Sequence, residues 1–421
     1  MRGRRSLLAL ENPNYRIYFF GQLASQTGAW LQRTAQAWLV LVDLNGSPAA
    51  LGVLTALQFL PIMLLTLFGG VVADRFPRRK LLFAIQSVSC AQAITLAGLT
   101  LGGHIQLWHV YVLAFILGVL SAFDFPTRQS FVSELVSRDE LQSAIGLNSS
   151  VFNGARILGP GLGGAIIAAW GVGWCFGFNA VSFLAVLVAL ALIDVDSLHA
   201  TRRSPRAALW TQLADGLRYA ARQPRLSFPL VLLFFIGTFG YNFGVVLPLL
   251  ARQALGLDSV GFGSLNTAMG LGALIAALGV VARLSPSDGG VLAAGSIFSV
   301  LLLLVAFIPW YLVVLLVLLV LGVANVTYST MVNTTLQLHS DEAYRGRVLS
   351  LYTLLFAGTT PIGGAVTGWL ADVWGIRVAV AIEAGVCLAA AAGGAAFLWS
   401  RGREVERSRS REAERSSGRA S

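Results

Sequence analysis

The amino-acid sequence predicts an all-α membrane protein with twelve transmembrane helices, arranged as two pseudo-repeats of six helices, with both termini in the cytoplasm. Of its 421 residues, 56% are hydrophobic and only 12% are charged, whereas about one-quarter of a soluble domain is charged. Apolar runs long enough to cross a bilayer recur along the chain. The basic residues between these runs fall almost entirely on one side of the predicted membrane, which sets the orientation.

Twelve apolar runs have the length of a transmembrane helix, which needs about 20 residues. They cover residues 15–42, 49–72, 79–101, 105–126, 142–169, 173–193, 226–251, 259–283, 289–308, 310–333, 347–371 and 376–400. One long interval, 194–225, divides them into six and six. The predicted domains are therefore a first half at 1–193, a cytoplasmic linker at 194–225, a second half at 226–400 and a cytoplasmic tail at 401–421.

The distribution of Lys and Arg supports this topology. With the N-terminus in the cytoplasm, 26 of the 30 basic residues lie on the cytoplasmic side, two lie outside, and two, Arg33 and Arg156, lie within spans. Basic residues concentrate in the cytoplasmic loops of membrane proteins, and an odd number of spans would destroy this asymmetry. We therefore expect a multi-pass, monomeric protein of the inner or plasma membrane, surrounded by lipid.

The linker and the tail are expected to differ in structure. Apolar residues recur at helical spacing between Trp210 and Ala220, with basic residues beside them, which predicts an amphipathic helix at the membrane surface. The tail from Arg401 alternates Arg, Glu and Ser with almost no apolar residues. That composition predicts disorder.

The two halves share a short pattern. The fifth span contains Pro160 followed by Gly163-Gly164, and the eleventh contains Pro361 followed by Gly363-Gly364. The match is loose, but together with the division into six and six it favours a duplication. Secondary transporters commonly have this layout, in which two repeats surround a binding site near the middle of the membrane.

A dense charge cluster lies between the second and third spans. Its members are Gly70, Asp74, Arg75, Arg78, Arg79 and Lys80. The bases alone could be an anchor that sets orientation. An anchor does not explain the acid or the preceding glycines, because a carboxylate at a partly dry helix interface needs a partner, and small residues permit close helix approach. The cluster therefore favours a latch between two helices.

The fifth span carries small residues four positions apart. Ala155, Gly159 and Gly163 fall on one helix face, and Pro160 and Gly164 lie beside them. Such a face permits close packing against another helix, and proline bends the helix that contains it. Helix packing accounts for at least part of this pattern.

These two motifs resemble signatures of the major facilitator superfamily. The run from Gly70 to Lys80 is similar to the loop 2–3 signature, with Pro77 where glycine is usual. The resemblance implies that this loop packs on a helix of the other half and helps lock the outward-facing state, with Asp74 and Arg78 as gating residues. The run from Ala155 to Gly164 resembles the antiporter signature of proton-driven exporters, with Ala155 where glycine is usual.

A finer resemblance covers nearly the whole chain. Segments 30–33, 37–40, 45–48, 123–129 and 345–348 are similar to the branch of transmembrane secretion effectors that holds the enterobactin exporter, to which macrolide efflux pumps are related. The resemblance implies a secondary efflux transporter, driven by the proton gradient, for a small amphipathic cargo such as a siderophore or drug.

Polar residues inside the spans are candidates for the substrate and proton pathway, since ionisable groups in a membrane are costly and usually functional. In span 1 they form a stripe that could line a wet cavity or hydrogen-bond between helices. The full set is Gln22, Gln26, Trp30, Arg33, Asp124, Arg156, Tyr241, Asn242, Asn325, Tyr328 and Glu383.

Three of these residues are charged groups whose partner or role the sequence leaves open. Arg156 needs an acidic or carbonyl partner, which Asp124 or an anionic cargo could supply. Asp124 is the first candidate for the proton carrier, although an ion pair with Arg128, one helical turn further on, is an equal alternative. Glu383 is the weaker candidate, because span 12 is more often peripheral in the fold that the sequence resembles.

Other functional classes lack support in the sequence. The four histidines are scattered over loops, and no catalytic set or metal-ligand spacing occurs, so we expect neither an enzyme nor a metal site. Lys80 is the only lysine, which excludes a phosphate-binding Gly-Lys-Ser/Thr loop, and we expect no cofactor. The bases lack interleaved aromatics, which argues against nucleic acid. The remaining alternatives are an importer of a small nutrient or metabolite and a non-transporting membrane receptor.

Overall fold

The structure, a computed structural model, describes residues 7–199 and 209–417, with the side chains of all these residues except 67, 209–214, 282, 343, 357 and 401–417. Fifteen α-helices lie within these ranges. Those of the first half are α1 (Pro13–Trp38), α2 (Pro48–Arg75), α3 (Arg78–Leu101), α4 (Leu107–Leu135), α5 (Leu141–Trp170) and α6 (Val172–Leu192).

The linker and the second half contain the other nine helices of the described ranges. They are α7 (Leu209–Arg222), α8 (Pro224–Phe235), α9 (Phe243–Leu249), α10 (Ser259–Ile275), α11 (Asp288–Phe307), α12 (Tyr311–His339), α13 (Glu342–Ala357), α14 (Thr360–Trp374) and α15 (Ile376–Ser417). Helix α7 is the linker helix.

Eleven helical stretches of the described chain are long and apolar enough to cross a membrane. Helix α1, which a π-helical turn extends to Asp43, is not among them, because glutamines and Arg33 lower its hydropathy. It nevertheless packs along α5 and α6, like the apolar helices around it. The molecule is therefore an all-helical, multi-pass membrane protein.

Side-chain caps account for several helix starts. The Asn12 side chain accepts hydrogen bonds from the backbone N–H groups of Asn14 and Tyr15, at 3.0 and 3.2 Å. Ser47, Asp258 and Ser287 cap α2, α10 and α11 in the same way. Such caps satisfy donors that the first helical turn leaves free, and they place the turns of the bundle.

Two spans that we predicted as continuous are broken. The predicted span 226–251 leaves α8 through a π-helical turn at Ile236–Gly240, loses regular structure at Tyr241 and Asn242, and resumes as α9. The predicted span 347–371 is divided at Gly358 and Thr359, just before Pro361. Glycine weakens a helix and proline removes a backbone donor, so these positions favour a break where other helices can satisfy the freed groups.

The two halves meet in a symmetric way. Helix α2 of the first half packs on α14 of the second, and α5 of the first packs on α10 of the second. Six-helix repeats related by a two-fold axis produce this reciprocal pairing, since the second helix of each half faces the fifth helix of the other. The observed packing is the three-dimensional counterpart of the loose sequence repeat.

Glycines bring the halves together at one end of the bundle. A Cβ atom on Gly52 would lie 2.7 Å from the carbonyl oxygen of Gly364, and one on Gly368 would lie 2.7 Å from that of Pro48. In the α5–α10 pair, a Cβ on Gly263 would lie 2.9 Å from the Pro160 oxygen. No side chain fits these contacts, so glycine sets how closely the backbones approach.

At the other end of the bundle the halves contact each other less closely. We call the end that bears residues 75–80, 135–140 and 340–343 the basic face, and the end that bears 43–47, 171, 255–258 and 375 the opposite face. Along α5, Pro160 is buried, Phe152 is 44% exposed and Ser149 is exposed. Along α10 and the π-helical turn Ala276–Val280 that continues it, Phe262 is buried and Ala277 is exposed. The glycine contacts between the halves lie from the middle of the bundle to the opposite face, whereas an added Cβ on Gly154 or Gly279, nearer the basic face, would meet nothing within 4 Å.

The linker helix α7 lies in the interval where the sequence predicts an amphipathic helix. It packs against α13, where the ring of Tyr219 stacks on that of Tyr344 at 4.2 Å between centroids. The Tyr219 hydroxyl accepts a hydrogen bond from the Asp341 backbone N–H at 3.0 Å, and Asp215 lies 3.7 Å from Arg347. The linker helix is thus docked on the second half at the basic face.

The tail differs from the prediction of disorder. Helix α15 continues through residues 401–417 as far as Ser417. Arg and Glu are good helix formers, and an existing helix is extended more easily than a new one is nucleated. Linker residues 200–208 and tail residues 418–421 lie outside the described residues.

We call the contacts between the halves at Gly52, Gly263, Gly364 and Gly368 the seam. Enlarging one of these glycines should weaken the structure. We expect Gly52→Leu to cost about 1–3 kcal/mol, the usual penalty for overpacking. Gly98→Leu is the matched control, because a Cβ on Gly98 meets nothing within 4 Å. The measurement is thermal unfolding in detergent followed with a thiol-reactive dye, since Cys90, Cys175 and Cys387 are all buried. Equal melting temperatures for the two variants would contradict the seam.

Candidate functional site

A cavity of about 310 Å³ lies between the two halves. The first half lines it from α1, α2 and α5, and the second half from the break between α8 and α9, from α10 and α12, and from the α13–α14 junction. Trp38 of the first half stacks on Phe262 of the second at 5.6 Å between centroids, on the side of the opposite face. The cavity is therefore shared by both halves.

Helix α5 brings its cavity residues against α1 through the small-residue motif. Gly159 packs on α1, where an added Cβ would lie 3.1 Å from the Thr27 carbonyl oxygen, and Gly163 faces Thr34. Gly164 points instead to Gly263 of the second half. Ala155 is buried, and Pro160 lines the cavity. The motif thus packs α5 on two neighbours at once.

Two guanidinium groups line the cavity without carboxylate partners. Arg33 lies over the rings of Trp30 and Phe59, at 5.1 and 5.5 Å from their centroids, and Arg156 lies one turn before Pro160. Among the described residues, neither guanidinium has a carboxylate within ion-pair distance. The cavity therefore presents positive charge that aromatic rings stabilise only in part.

Aromatic rings form much of the remaining wall. Trp30 contacts Phe152 edge-on at 6.0 Å, and Tyr241 contacts Phe356 edge-on at 5.3 Å. Gln58, Asn266 and Asn325 add amide groups. Such a wall can hold a flat apolar group, while the amides and guanidiniums can bind polar substituents.

The predicted polar stripe of α1 divides between two environments. Trp30 and Arg33 line the cavity, as expected. Gln22 does not line it and is buried with both amide atoms unpaired, and Gln26 lies beside Arg128, to which its side-chain oxygen is turned. The glutamines are one to three turns closer to the basic face, where α1 approaches α4 rather than the gap between the halves.

Asp124 lies in a buried polar cluster away from the cavity. Its carboxylate forms an ion pair with Arg128 and accepts a hydrogen bond from the Gln86 amide at 2.8 Å. The predicted alternative of an ion pair with Arg128 is therefore confirmed, and of the two partners left open for Arg156, Asp124 is not the one that the structure places beside it. The reason is local, because residues four apart on one helix are neighbours whatever the tertiary structure does.

The second half distributes its candidate residues unevenly. Tyr241, Asn242 and Asn325 line the cavity. Tyr328 is fully buried, with its hydroxyl unpaired and its ring against Gly295, and does not line the cavity. Tyr328 is three residues past Asn325 on α12, and that step turns its ring towards α11.

Glu383 is almost fully buried, at 1% exposed, behind the cavity wall. The Asn242 amide donates to its carboxyl oxygen at 3.5 Å, and the Thr367 hydroxyl lies within hydrogen-bond distance of the same oxygen. Asn242 itself lines the cavity. One asparagine therefore joins this carboxyl group to the central space.

The charged loop at the basic face packs on the first half. Arg78 lies 3.6 Å from Asp74 and 2.6 Å from Glu134 of α4, and Arg79 donates to the carbonyl oxygen of Leu190 on α6 at 2.6 Å. Gly69 supplies the close approach to α4, since a Cβ there would clash with the Ala122 carbonyl. Gly70 is buried, and Arg75 is exposed.

Several cavity residues were missed from the sequence. Thr55, Gln58, Phe59, Phe152 and Asn266 line it but are ordinary membrane-helix residues by composition. The break after α8 was also missed, although Gly237, Gly240 and Gly244 cluster there and Pro248 follows. Glycines and a proline interrupting an apolar segment are a recognised pointer to a binding site in transporters.

A shared cavity between two pseudo-symmetric helical halves defines the molecule as a membrane transporter of the major facilitator type. The chain belongs to the family described as transmembrane secretion effector, whose model matches residues 5–416. The match extends the predicted resemblance over nearly the whole chain and confirms it.

Curated relatives include transporters of different kinds. The multidrug efflux pump Tap of Mycolicibacterium fortuitum is 26% identical, over 86% of this chain and 90% of that one. The staphyloferrin A transporter of Staphylococcus aureus is 25% identical, over 86% and 90%. An uncharacterised transporter of Bacillus subtilis, YfiS, is 30% identical, but the alignment spans 48% of this chain and about half, 49%, of that one.

Solved structures share the fold. A peptide-transporter-family (POT) protein bound to 5-aminolevulinic acid superposes with a TM-score of 0.73 at 12% identity, covering 92% of this chain and 96% of that one. The nucleoside transporter NupG superposes with a TM-score of 0.70 at 13% identity, covering 92% and 98%. At these identities the likeness establishes the architecture alone.

Removing the Asp124 carboxylate should destabilise the protein. Asp124→Asn leaves Arg128 buried without a counter-charge, and breaking a buried pair costs about 3–5 kcal/mol. The double variant Asp124→Leu, Arg128→Met should recover most of the loss, because it removes both charges. Melting temperatures of the two variants and the parent provide the measurement. A single variant as stable as the parent would show that the pair is not a structural element.

Proposed function

We propose that the chain is a secondary active exporter that works by alternating access. In this proposal it has twelve spans, with α1 as the first and both termini in the cytoplasm of a bacterial inner or plasma membrane. It exchanges protons for a small amphipathic molecule of siderophore or drug type. It acts as a monomer in lipid and needs no cofactor beyond the proton gradient.

The observation that carries this proposal is the central cavity with its two unpaired guanidiniums. Arg33 and Arg156 come from different helices of the first half and face aromatic walls that both halves supply. A buried cation without a counter-ion is costly, so a ligand that brings a negative group gains the interaction that the protein leaves unsatisfied. The geometry favours a cargo with a flat apolar part and an acidic group.

The open side of the cavity supports loading from the cytoplasm. The basic face is the cytoplasmic face if Lys and Arg concentrate inside, as in other membrane proteins. The halves are closed by glycine contacts at the opposite face and diverge towards the basic face. In this orientation the structure is an inward-facing state, from which an exporter takes up its cargo. The efflux activity named for Tap agrees with this direction.

The charged loop fits one part of a gate. Two of its ion pairs join Arg78 to Asp74 and to Glu134 of the first half. Closing the basic face would bring the loop towards the start of α13, the region that also holds Arg345 and Arg347. We propose that the Asp74–Arg78 pair then engages the second half and locks the outward-facing state.

Everted membrane vesicles test direction and coupling together. The cytoplasmic face points outwards in such vesicles, and respiration acidifies the interior. We expect them to accumulate fluorescein, an aromatic anion, more strongly than a rhodamine ester, a cation with the same tricyclic core. An uncoupler should abolish accumulation. Accumulation only in right-side-out vesicles would indicate an importer, and uncoupler-insensitive accumulation would rule out proton antiport.

The guanidinium of Arg156 should determine whether the cavity prefers anionic ligands to cationic ones. Arg156→Ala should weaken fluorescein binding by about tenfold or more, the cost of losing a hydrogen bond to a charged group. Arg156→Lys should retain part of the affinity, because the positive charge remains. Binding to purified protein is measured by fluorescence anisotropy, with Arg252→Ala as the control, since Arg252 is exposed outside the cavity. Unchanged anion affinity in Arg156→Ala would exclude this residue from the site.

A further inference from the structure

We propose that Glu383, and not Asp124, is the residue that carries the coupling proton. This inference rests on the proposed function, since it identifies a site for the proton that antiport requires. Four observations support it, and they concern the missing counter-ion, the hydrogen bonds around the carboxyl group, its link to the cavity, and its link to the seam between the halves.

The first observation is that Glu383 has no counter-ion in the part of the chain that the structure describes. Among the described residues, no Lys, Arg or His lies within ion-pair distance of it, whereas Asp124 is paired with Arg128. The carboxyl group is 1% exposed and lies in a transmembrane helix. An ionised acid without a partner is strongly disfavoured in such a place, so the neutral acid is the stable form. A salt-bridged aspartate is held in its ionised form and cannot easily exchange a proton.

The second observation is the hydrogen bonding of Thr367. Its hydroxyl donates to the Gly363 carbonyl oxygen at 2.8 Å and also lies within hydrogen-bond distance of the Glu383 carboxyl oxygen. A hydroxyl has one hydrogen and cannot donate to both acceptors. Both contacts are satisfied if Glu383 is protonated, because the acid then donates to the Thr367 oxygen. The arrangement therefore fits a carboxylic acid better than a carboxylate.

The third observation is the link to the cavity. Asn242 donates to Thr238 at 2.8 Å and to Glu383 at 3.5 Å, and it lines the cavity at the break between α8 and α9. Its own side-chain oxygen is buried without a partner. A residue at a helix break can move more easily than one inside a helix. Cargo bound against Tyr241 and Asn242 can therefore disturb the contact that holds the acid.

The fourth observation is the link to the seam. Thr367 lies on α14 between Gly364 and Gly368, the two glycines that meet α2 of the first half near the opposite face. Glu383 itself lies about 10 Å along α15 from its first residue, Ile376, at the same end of the bundle. Separating the halves at the seam must move α14. The hydrogen bond between Thr367 and Glu383 therefore depends on whether the opposite face is closed.

Few other ionisable groups are near enough to take this role. Cys387 lies one turn further on α15, with its thiol directed to the Phe235 carbonyl at 3.8 Å. Tyr241 lies at the helix break. Arg377 precedes Glu383 on α15 and is hydrogen-bonded to carbonyls of Ala254, Ala306 and Ile308. The other charged residues on the elements packed against α15 lie at or near helix ends, and they are Arg225, Arg252, Asp288 and Asp372.

These observations define one proton transfer in the exchange cycle. With the opposite face open, the Glu383 carboxylate takes a proton from water and becomes a neutral acid. The neutral acid bonds to Thr367, and the opposite face closes. In the state seen here, cargo at the helix break displaces Asn242, the acid gives its proton to water in the cavity, and the resulting carboxylate favours reopening of the seam. One proton enters as one cargo molecule leaves.

Infrared spectroscopy of the reconstituted full chain tests the protonation state without any cargo. We expect the carbonyl stretch of a protonated carboxylic acid at neutral pH, lost in Glu383→Gln and retained in Asp372→Asn, an exposed carboxylate on the neighbouring helix. Thr367→Val keeps the acid but removes its hydrogen-bond partner, so the band should shift. This variant provides the test if Glu383→Gln does not fold. A spectrum without the band, or a band that survives in Glu383→Gln, would overturn the proposal.

Everted vesicles separate this proposal from the proposed function. Glu383→Gln should lose uncoupler-sensitive accumulation of fluorescein but keep fluorescein exchange across the membrane, because exchange needs no net proton transfer. Proton-driven accumulation in both the parent and Glu383→Gln would refute the assignment to Glu383 while leaving the exporter intact. A parent without proton-driven accumulation would refute the exporter, and the infrared band would then still decide whether Glu383 holds a proton.

Discussion

The close approach of the two halves at one end of the bundle is the constraint on which the other features depend. Backbone meets backbone where Gly52 faces Gly364 and Gly368, and again where Gly164 faces Gly263. In a bilayer, apolar side chains gain little by leaving lipid, so helix association relies on close packing. The seam therefore positions α2, α5, α10 and α14, and the space that these helices leave further along their length is the cavity.

The charged groups within the bundle are distributed in a way that separates structural from functional roles. Asp124 and Arg128 neutralise each other inside the first half, with Gln86 as a further partner. Arg33 and Arg156 face the cavity without such compensation. Because each uncompensated charge costs stability in a membrane, these two guanidiniums are the basis for the proposal of a cargo with an acidic group. The unsatisfied groups lie at the cavity and next to it, where that partner can arrive.

Sequence reasoning recovered the parts of the fold that depend on local pattern. Apolar runs located the helices, and the loop from Gly70 to Lys80 and the span-5 motif led to the family. Sequence reasoning failed where tertiary packing decides which neighbour a side chain contacts. Gln26 and Trp30 lie one turn apart on α1, yet Gln26 lies beside Arg128 of α4 and Trp30 lines the cavity, because α1 changes neighbours along its length. The sequence also could not compare the surroundings of the two acids, since only the structure shows that Asp124 lies beside Arg128 and that Glu383 has no cation within ion-pair distance among the described residues.

The broken helices place the cavity next to the contact between the two halves. The break at Tyr241 and Asn242 and the division at Gly358 and Thr359 lie in helices of the same half, and Thr238 and Asn242 on one side meet Gly363 on the other. A continuous helix resists bending because every backbone group is already paired, whereas a break concentrates motion at a few residues. The break that lines the cavity thus touches the helix that forms the seam. A disturbance in the cavity need travel only through Asn242, Gly363 and Thr367 to reach the contact between the halves, and Asn242 and Thr367 are the residues that lie against the buried carboxyl group.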